Sequence, residues 1–218
     1  MRNLLSCSLP PGACRLFFHR YPQSFTFIRI DLALGTSDNG FFFMRAYLSG
    51  SIEYSPDLGK GWRAQVTPFL RALGHDVYDP AADEKKNLTD EEVCEFRGWK
   101  TTDLARYQAA VRKIIAWDLD WIESRADYVV CYWDAAAARG AGTQGELTFA
   151  HRCGIPVYLV LGMPSRVVSG WILGCATRIF DNFAELQSFL SRTYAQRYAA
   201  NIAKEVQAIA AHRLPVRD

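Results

Sequence analysis

YVVCYWDAAAARGAGTQGELTFAHRCGIPVYLVL, residues 128–161, carries the signal of a parallel sheet. It opens on one continuous apolar run, Tyr128–Trp133, and closes on another, Ile155–Leu161, both of strand length and rich in β-branched and aromatic side chains. Between them a glycine-rich loop leads into a helix near Gln144–Cys153 that stops at Gly154. A strand without polar alternation is one covered on both faces. Such strands separated by helices make a parallel sheet between two helical layers.

The same alternation continues outward in both directions. Arg45–Ser49 reads as a strand running into the small-residue turn Ser49–Gly50–Ser51. Trp62 to Leu73 has helical spacing (Val66, Phe69, Leu70, Leu73) and ends at Gly74, and His75–Asp79 is a second strand closed by Pro80. The charged stretch Asp83–Asp103 reads as an insertion with one short helix. Thr89 and Glu92 stand there in capping-box spacing, and Gly98 marks the end. A long helix follows over Leu104–Ser124. Beyond Leu161 come a short last strand, Thr177–Phe180, a helix over Phe183–Arg192, and an Ala-rich helical segment, Tyr194–Arg213, suited to packing or to oligomer formation.

Composition narrows the function classes. The 218 residues hold 25 Lys and Arg against 23 Asp and Glu, a formal net charge of +2. That excess sits in residues 1–43, which carry four Arg and two Asp, while the chain from Met44 onward is balanced. A neutral body argues against a polymeric nucleic acid as partner, because phosphate backbones are held by clustered cations. No apolar run approaches the roughly 18–20 residues of a membrane helix. The six Cys form no CxxC pair and read as reduced, intracellular core thiols, so a cytoplasmic location is expected. The four His are too widely spaced for a zinc site, and no metal is expected. Residues 1–43 are Arg-rich and acid-poor, which fits either an organelle transit peptide or a misassigned start ahead of Met44. The expected organisation is a leader (1–43), a catalytic domain (44–193) and a C-terminal helix (194–218).

Ligands of open parallel sheets bind beyond the carboxyl ends of the strands. Three such ends stand out: Ser49–Gly50–Ser51, the loop Trp133–Thr143, and the segment after Leu161. Gly140, Gly142 and Gly145 match GxGxxG, but six residues separate Trp133 from Gly140 and no acid occurs between Glu146 and Asp181. A dinucleotide fingerprint is therefore rejected. A triphosphate-binding loop at Gly59–Lys60 is rejected as well, since Tyr54 and Gly61 occupy positions that require Gly and Ser/Thr.

Two carboxylates remain. Thr143 suits an N-cap, and Thr143-x-x-Glu146 has capping-box spacing, in which the Glu only returns to the N-cap amide. The same place, a helix start at the mouth of the sheet, would instead favour an ionised carboxylate such as a nucleophile needs. On the long helix, Tyr107, Val111, Ile114, Ile115 and Ile122 fall within about 60° of Val111, and Asp118 lies about 20° from it, while Asp120 points about 180° away. Asp118 thus sits in an apolar stripe, where it is either a buried acid bonded to backbone or to a Tyr, or a group pushed towards protonation. Two acids with opposed environments divide into nucleophile and proton donor, which suits displacement at a sugar anomeric carbon through a glycosyl-enzyme.

These residues carry a resemblance. AYLSGS (46–51), DLDW (118–121) with ADYVV (126–130), GTQGELTFA (142–150) and RVVSGWILG (166–174) occur in the order found in the nucleoside 2-deoxyribosyltransferase family, which the chain resembles over about Arg45 to Leu190. The second and fourth pieces look most like its 2′-deoxynucleoside 5′-monophosphate N-glycosidase branch. The resemblance implies an α/β fold, a flavodoxin-like five-stranded parallel sheet with helices on both faces. It implies Glu146 as the nucleophile at C1′, Asp118 as the acid that helps the base depart, and Tyr47 as the hydroxyl that holds Glu146. Ser49, Gly50, Ser51, Gly142 and Thr143 would border the substrate, and Ser169 would reach its 5′ end, often across a dimer interface. No cofactor is implied. The implied partners are a deoxynucleoside or nucleotide, a free nucleobase, and a second copy of the chain.

The sequence departs from the family six residues before the nucleophile, where the family carries Asp or Ser and this chain has Gly140 beside Arg139, a candidate phosphate donor. A weaker resemblance, over Gly140–Glu146, is to the cytokinin-activating phosphoribohydrolases, whose glycine-rich first loop is missing here. The expected reaction is transfer of a 2-deoxyribosyl group between bases, with hydrolysis of deoxynucleotides as the alternative and a non-catalytic nucleotide-binding module as a third reading.

Overall fold

Five short strands with buried apolar side chains form one sheet, and each strand pairs parallel with its neighbour. A computed structural model describes residues 44–83 and 85–194; the expectations for residues 1–43 and 195–218 lie outside the described residues. In chain order the elements are β1 (Arg45–Gly50), α1 (Lys60–Ala72), β2 (Asp76–Tyr78), α2 (Asp90–Thr102), α3 (Leu104–Ser124), β3 (Tyr128–Trp133), α4 (Ala135–Arg139), α5 (Ala141–Arg152), β4 (Val157–Leu161), α6 (Gly170–Cys175), β5 (Arg178–Phe180) and the helical residues 183–194, called α7. The strand order β2-β1-β3-β4-β5 is that of the flavodoxin-like fold.

Strand periodicity sorts the core into two layers. Ala46, Leu48, Val130, Tyr158 and Val160 point to one face and meet Val66 and Leu70 of α1 and Leu186 and Leu190 of α7. Tyr47, Val129, Cys131, Trp133, Val157 and Leu159 point to the other, against Trp121 and Ile122 of α3, Leu147 and Ala150 of α5, and Ile172 of α6. Alternate residues of one strand therefore serve opposite layers. The glycine stops behave as read: Gly74 and Gly154 take positive φ, 77° and 73°, just past α1 and α5.

Several local expectations are corrected. Residues 134–143 are not a loop. Asp134 accepts a hydrogen bond from the Ala137 amide at 2.8 Å and starts α4, and α5 begins at Ala141 with Gly140 as its N-cap. The capping box of Thr89 and Glu92 forms, but Gly98 does not end α2, which continues to Thr102. Trp99 of α2 and Leu88 bury Ala110 of α3 in a small third cluster, enough to carry the helix through a glycine that costs about 1 kcal/mol. Ile115, placed on the inner stripe of α3, is 51% exposed, and that stripe is formed by Ala110, Asp118, Trp121 and Ile122. Among the described cysteines, Cys131 and Cys175 are buried while Cys94 is exposed and so is no core thiol. No helix among the described residues is long and apolar enough to cross a membrane.

One buried polar cluster lies away from the carboxyl ends of the strands. His75 Nδ1 is 2.6 Å from the Tyr128 hydroxyl, and the His75 ring packs edge-on against Tyr194 at 5.0 Å. Burial pushes His75 down to about 4 from its ordinary 6.5. The unfolded chain then takes up a proton that the folded chain refuses, so His75 contributes stability fully above pH 6.5 and loses it as pH falls towards 4. Urea titrations at pH 7.5 and 4.5 are expected to differ by on the order of 2 kcal/mol through this residue, a difference that shrinks in His75→Gln.

Candidate active site

Period-two geometry on β1 creates the centre of the site. Tyr47 and Ser49 are two apart, so both side chains leave the sheet on the α3/α5 face, and both residues are wholly buried. Opposite them, Thr143, Leu147 and Ala150 form the buried stripe of α5, and Glu146 falls on the same stripe, facing the strand. The Tyr47 hydroxyl donates to Glu146 Oε1 at 3.0 Å and the Ser49 hydroxyl donates to Oε2 at 2.5 Å. Each carboxylate oxygen accepts one hydroxyl and keeps a second lone pair. The location agrees with the topology: β1 and β3 are neighbours at the point where the strand order reverses, the place where open α/β sheets bind ligands.

This geometry removes the capping-box reading of Glu146. Thr143 lies inside α5, buried, rather than at its N-cap, and the Glu146 carboxylate is engaged by two hydroxyls of β1. The helix-end argument lapses with it, because Glu146 is past the first turn of α5, where the field of a helix end has faded. The β1 hydroxyls take its place as the groups that hold Glu146.

Asp118 is buried as its position on α3 implied, but its partner is neither backbone nor Tyr. Lys86 Nζ lies 2.9 Å from Oδ2, with both side chains 10% exposed, while Oδ1 is buried and unbonded among the described residues. Burial is the largest influence on Asp118 and raises it to about 6. The Lys86 ammonium opposes this, and the charge of Glu146 adds to it. The Tyr47 hydroxyl is raised well above its ordinary value, first by burial and then by Glu146 and Asp118, so it remains a donor at any ordinary pH.

An aromatic wall links these groups. Tyr78 of β2 stacks on Trp121 at 4.3 Å and tilts against Tyr47 at 5.5 Å. Its hydroxyl donates to Asp83 Oδ2 at 2.8 Å, and Trp117 Nε1 donates to both of these oxygens, at 2.8 Å to the hydroxyl and 2.9 Å to the carboxylate. Asp83 in turn accepts from the Lys86 amide at 3.3 Å.

The remaining candidates are dispersed. Gly50 closes β1, where a Cβ would meet Trp62 at 2.9 Å, so only glycine lets the turn pass. Ser51 is buried with its hydroxyl unbonded among the described residues. Arg139 ends α4, exposed, with its guanidinium 4.9 Å from the Tyr54 ring, and Gly142 is exposed on the first turn of α5. Ser169 is exposed at the N-cap of α6, its hydroxyl accepting from the Trp171 amide at 3.3 Å, and among the described residues no hydrogen bond joins it to Glu146. A groove of about 490 Å³ on the α1/α7 side, bordered by Trp62, Tyr132 and Phe183, contains none of these groups.

Arg63 and Lys86 escaped the sequence reading. Arg63 is 1% exposed and donates to the carbonyls of Leu48, Gly50, Ser51 and Gly59, and its Nε lies 3.1 Å from Asp79 Oδ1. It stitches the end of β1 to the following turn, and so sets where Ser49 and Ser51 stand. A signal was present: Arg63, Val66 and Leu70 share one stripe of α1, as Asp118 shares one of α3.

No family model matches the chain, and no curated protein matches it. Among solved structures it is similar to a 2-deoxyribosyltransferase of Bacillus psychrosaccharolyticus, at 20% identity and a TM-score of 0.44 over 66% of this chain and 90% of that one. It is also similar to a CMP N-glycosidase of Clostridium botulinum, at 15% identity and a TM-score of 0.41 over 68% of this chain and 98% of that one. At this identity and overlap neither likeness bears on what the chain does.

Proposed function

We propose that the chain is a nucleoside 2-deoxyribosyltransferase-like enzyme that cleaves the N-glycosidic bond of 2′-deoxynucleosides through a covalent glycosyl-Glu146 intermediate and passes the sugar to another base. The observation that carries this reading is the Glu146 carboxylate, held on both oxygens by Tyr47 and Ser49 beside the buried acid Asp118. Glu146 attacks C1′, the bond from C1′ to the base nitrogen breaks, and its electron pair leaves with the base. Asp118 supplies the proton that neutralises the departing base. In the second half a new base attacks C1′, its proton returns to Asp118, and Glu146 is released.

A second reading shares the first half and uses water as acceptor, with a 5′-monophosphate as substrate. The observation in its favour is Arg139, an exposed guanidinium beside Gly140. The exposed Ser169 would serve the 5′ end from a second copy of the chain in either case.

One assay separates these readings. The chain is incubated with deoxynucleosides or their monophosphates, with and without a second free base, and products are followed by chromatography. New nucleoside that needs the acceptor base supports transfer; free base without it supports hydrolysis; no product from any substrate rejects both. Tyr47→Phe removes one of the two donors to Glu146. It is expected to lower kcat for base release by about 10–100-fold, the size of a lost hydrogen bond to a charged group.

A further inference from the structure

Buried lysines are rare, and a buried ion pair is costly to assemble unless something needs it. The pair of Lys86 and Asp118 is assembled across 32 residues, from a loop ahead of α2 and from the middle of α3. The loop that brings Lys86 in is strained: Lys86 and its neighbour Asn87 both have positive φ, 35° and 64°, a conformation that costs a side-chain-bearing residue about 1 kcal/mol or more. Asp83 holds that loop through the Lys86 amide and is itself fixed by Tyr78 and Trp117.

We propose that Lys86 is a positioning residue for the reaction: its ammonium fixes Asp118 through Oδ2 and keeps the exchange of a proton between Asp118 and the base reversible. This rests on the glycosyl-transfer reading above. The groups around Asp118 are Tyr47 from β1, Tyr78 from β2, Asp83 and Lys86 from the loop, and Glu146 from α5. Burial and the two acids all favour a protonated Asp118, and Lys86 opposes them. Without the ammonium, Asp118 would hold its proton too firmly to give it to a departing base. With it, the carboxyl can donate in the first half-reaction and accept in the second, which is what a group shared by both halves must do.

The test compares wild type, Lys86→Met, Lys86→Arg and Asp118→Asn as full chains. In the pH dependence of kcat/KM for base release, the limb that falls with rising pH is expected near 6 in wild type. In Lys86→Met it moves up by about one pH unit or more, with the low-pH plateau of kcat lowered about tenfold and KM little changed, while Lys86→Arg restores most of both. A limb that stays in place in Lys86→Met, with whatever loss of rate, overturns the proposal. A second measurement needs no turnover: carboxyl-carbon NMR of Asp-labelled protein, in which the signal missing from Asp118→Asn reports Asp118. Its midpoint is expected to rise in Lys86→Met, and an unmoved midpoint overturns the proposal. If wild type releases base from no substrate, the glycosyl-transfer reading fails by itself, and the NMR midpoint still decides whether Lys86 governs Asp118.

Discussion

Glu146→Ala is expected to lower base release by about 10⁴-fold or more while leaving a folded protein, the largest single effect on activity available in this chain. The magnitude follows from what the side chain is asked to do. A group that forms and breaks a bond to C1′ splits one difficult displacement into two easier ones, and its removal returns the reaction to direct attack by water or base. Tyr47 and Ser49 cannot substitute, since both are hydroxyl donors buried against the vacated position. The fold survives because Glu146 is only half-buried and α5 keeps Thr143, Leu147 and Ala150 against the sheet. Two unanswered hydroxyls cost about 1–3 kcal/mol each at most. In wild type, acid quenching during turnover followed by mass spectrometry is expected to find a deoxyribosyl group on the peptide that contains Glu146. A Glu146→Ala variant with near-native rates would sink the covalent mechanism, whatever the substrate proves to be.

How far these groups are legible in the sequence depends on whether their neighbours are near in the chain. β3 and α3 occupy the expected bounds because continuous burial on both faces of a strand, and a long stripe on a helix, leave local signatures. Asp118 is readable for the same reason: a carboxylate in an apolar stripe is visible without knowing its partner. Its partner is not visible, because Lys86 arrives from a charged loop whose course is set by Asp83, Tyr78 and Trp117. α5 starts at Ala141, earlier than Gly140, Gly142 and Gly145 suggest, since glycines so spaced read as a loop. The competing signal, Asp134 ahead of four alanines, is an N-cap on a run of strong helix formers and prevails. With that start Thr143 lies inside the helix and makes no cap, and Glu146 is held by Tyr47 and Ser49 instead of by a helix end.

Arg63→Met is expected to destabilise the protein by about 3–5 kcal/mol, the range for removing one partner of a buried charged pair. Four carbonyls lose a donor at once, those of Leu48, Gly50, Ser51 and Gly59, and Asp79, with its side chain only 24% exposed, loses its cation. Methionine fills much of the volume but offers no donor, so packing does not offset the loss. Arg63→Lys recovers only part of the stability, because one ammonium cannot span acceptors that the planar guanidinium reaches from several nitrogens. Adding Asp79→Asn to Arg63→Met recovers a further part by removing the stranded charge. Urea unfolding of the four proteins measures each step. The order wild type, Arg63→Lys, Arg63→Met with Asp79→Asn, then Arg63→Met alone is the one the contacts require. An Arg63→Met protein as stable as wild type would mean that the β1 turn, and the placement of Ser49 against Glu146, is held by something other than Arg63.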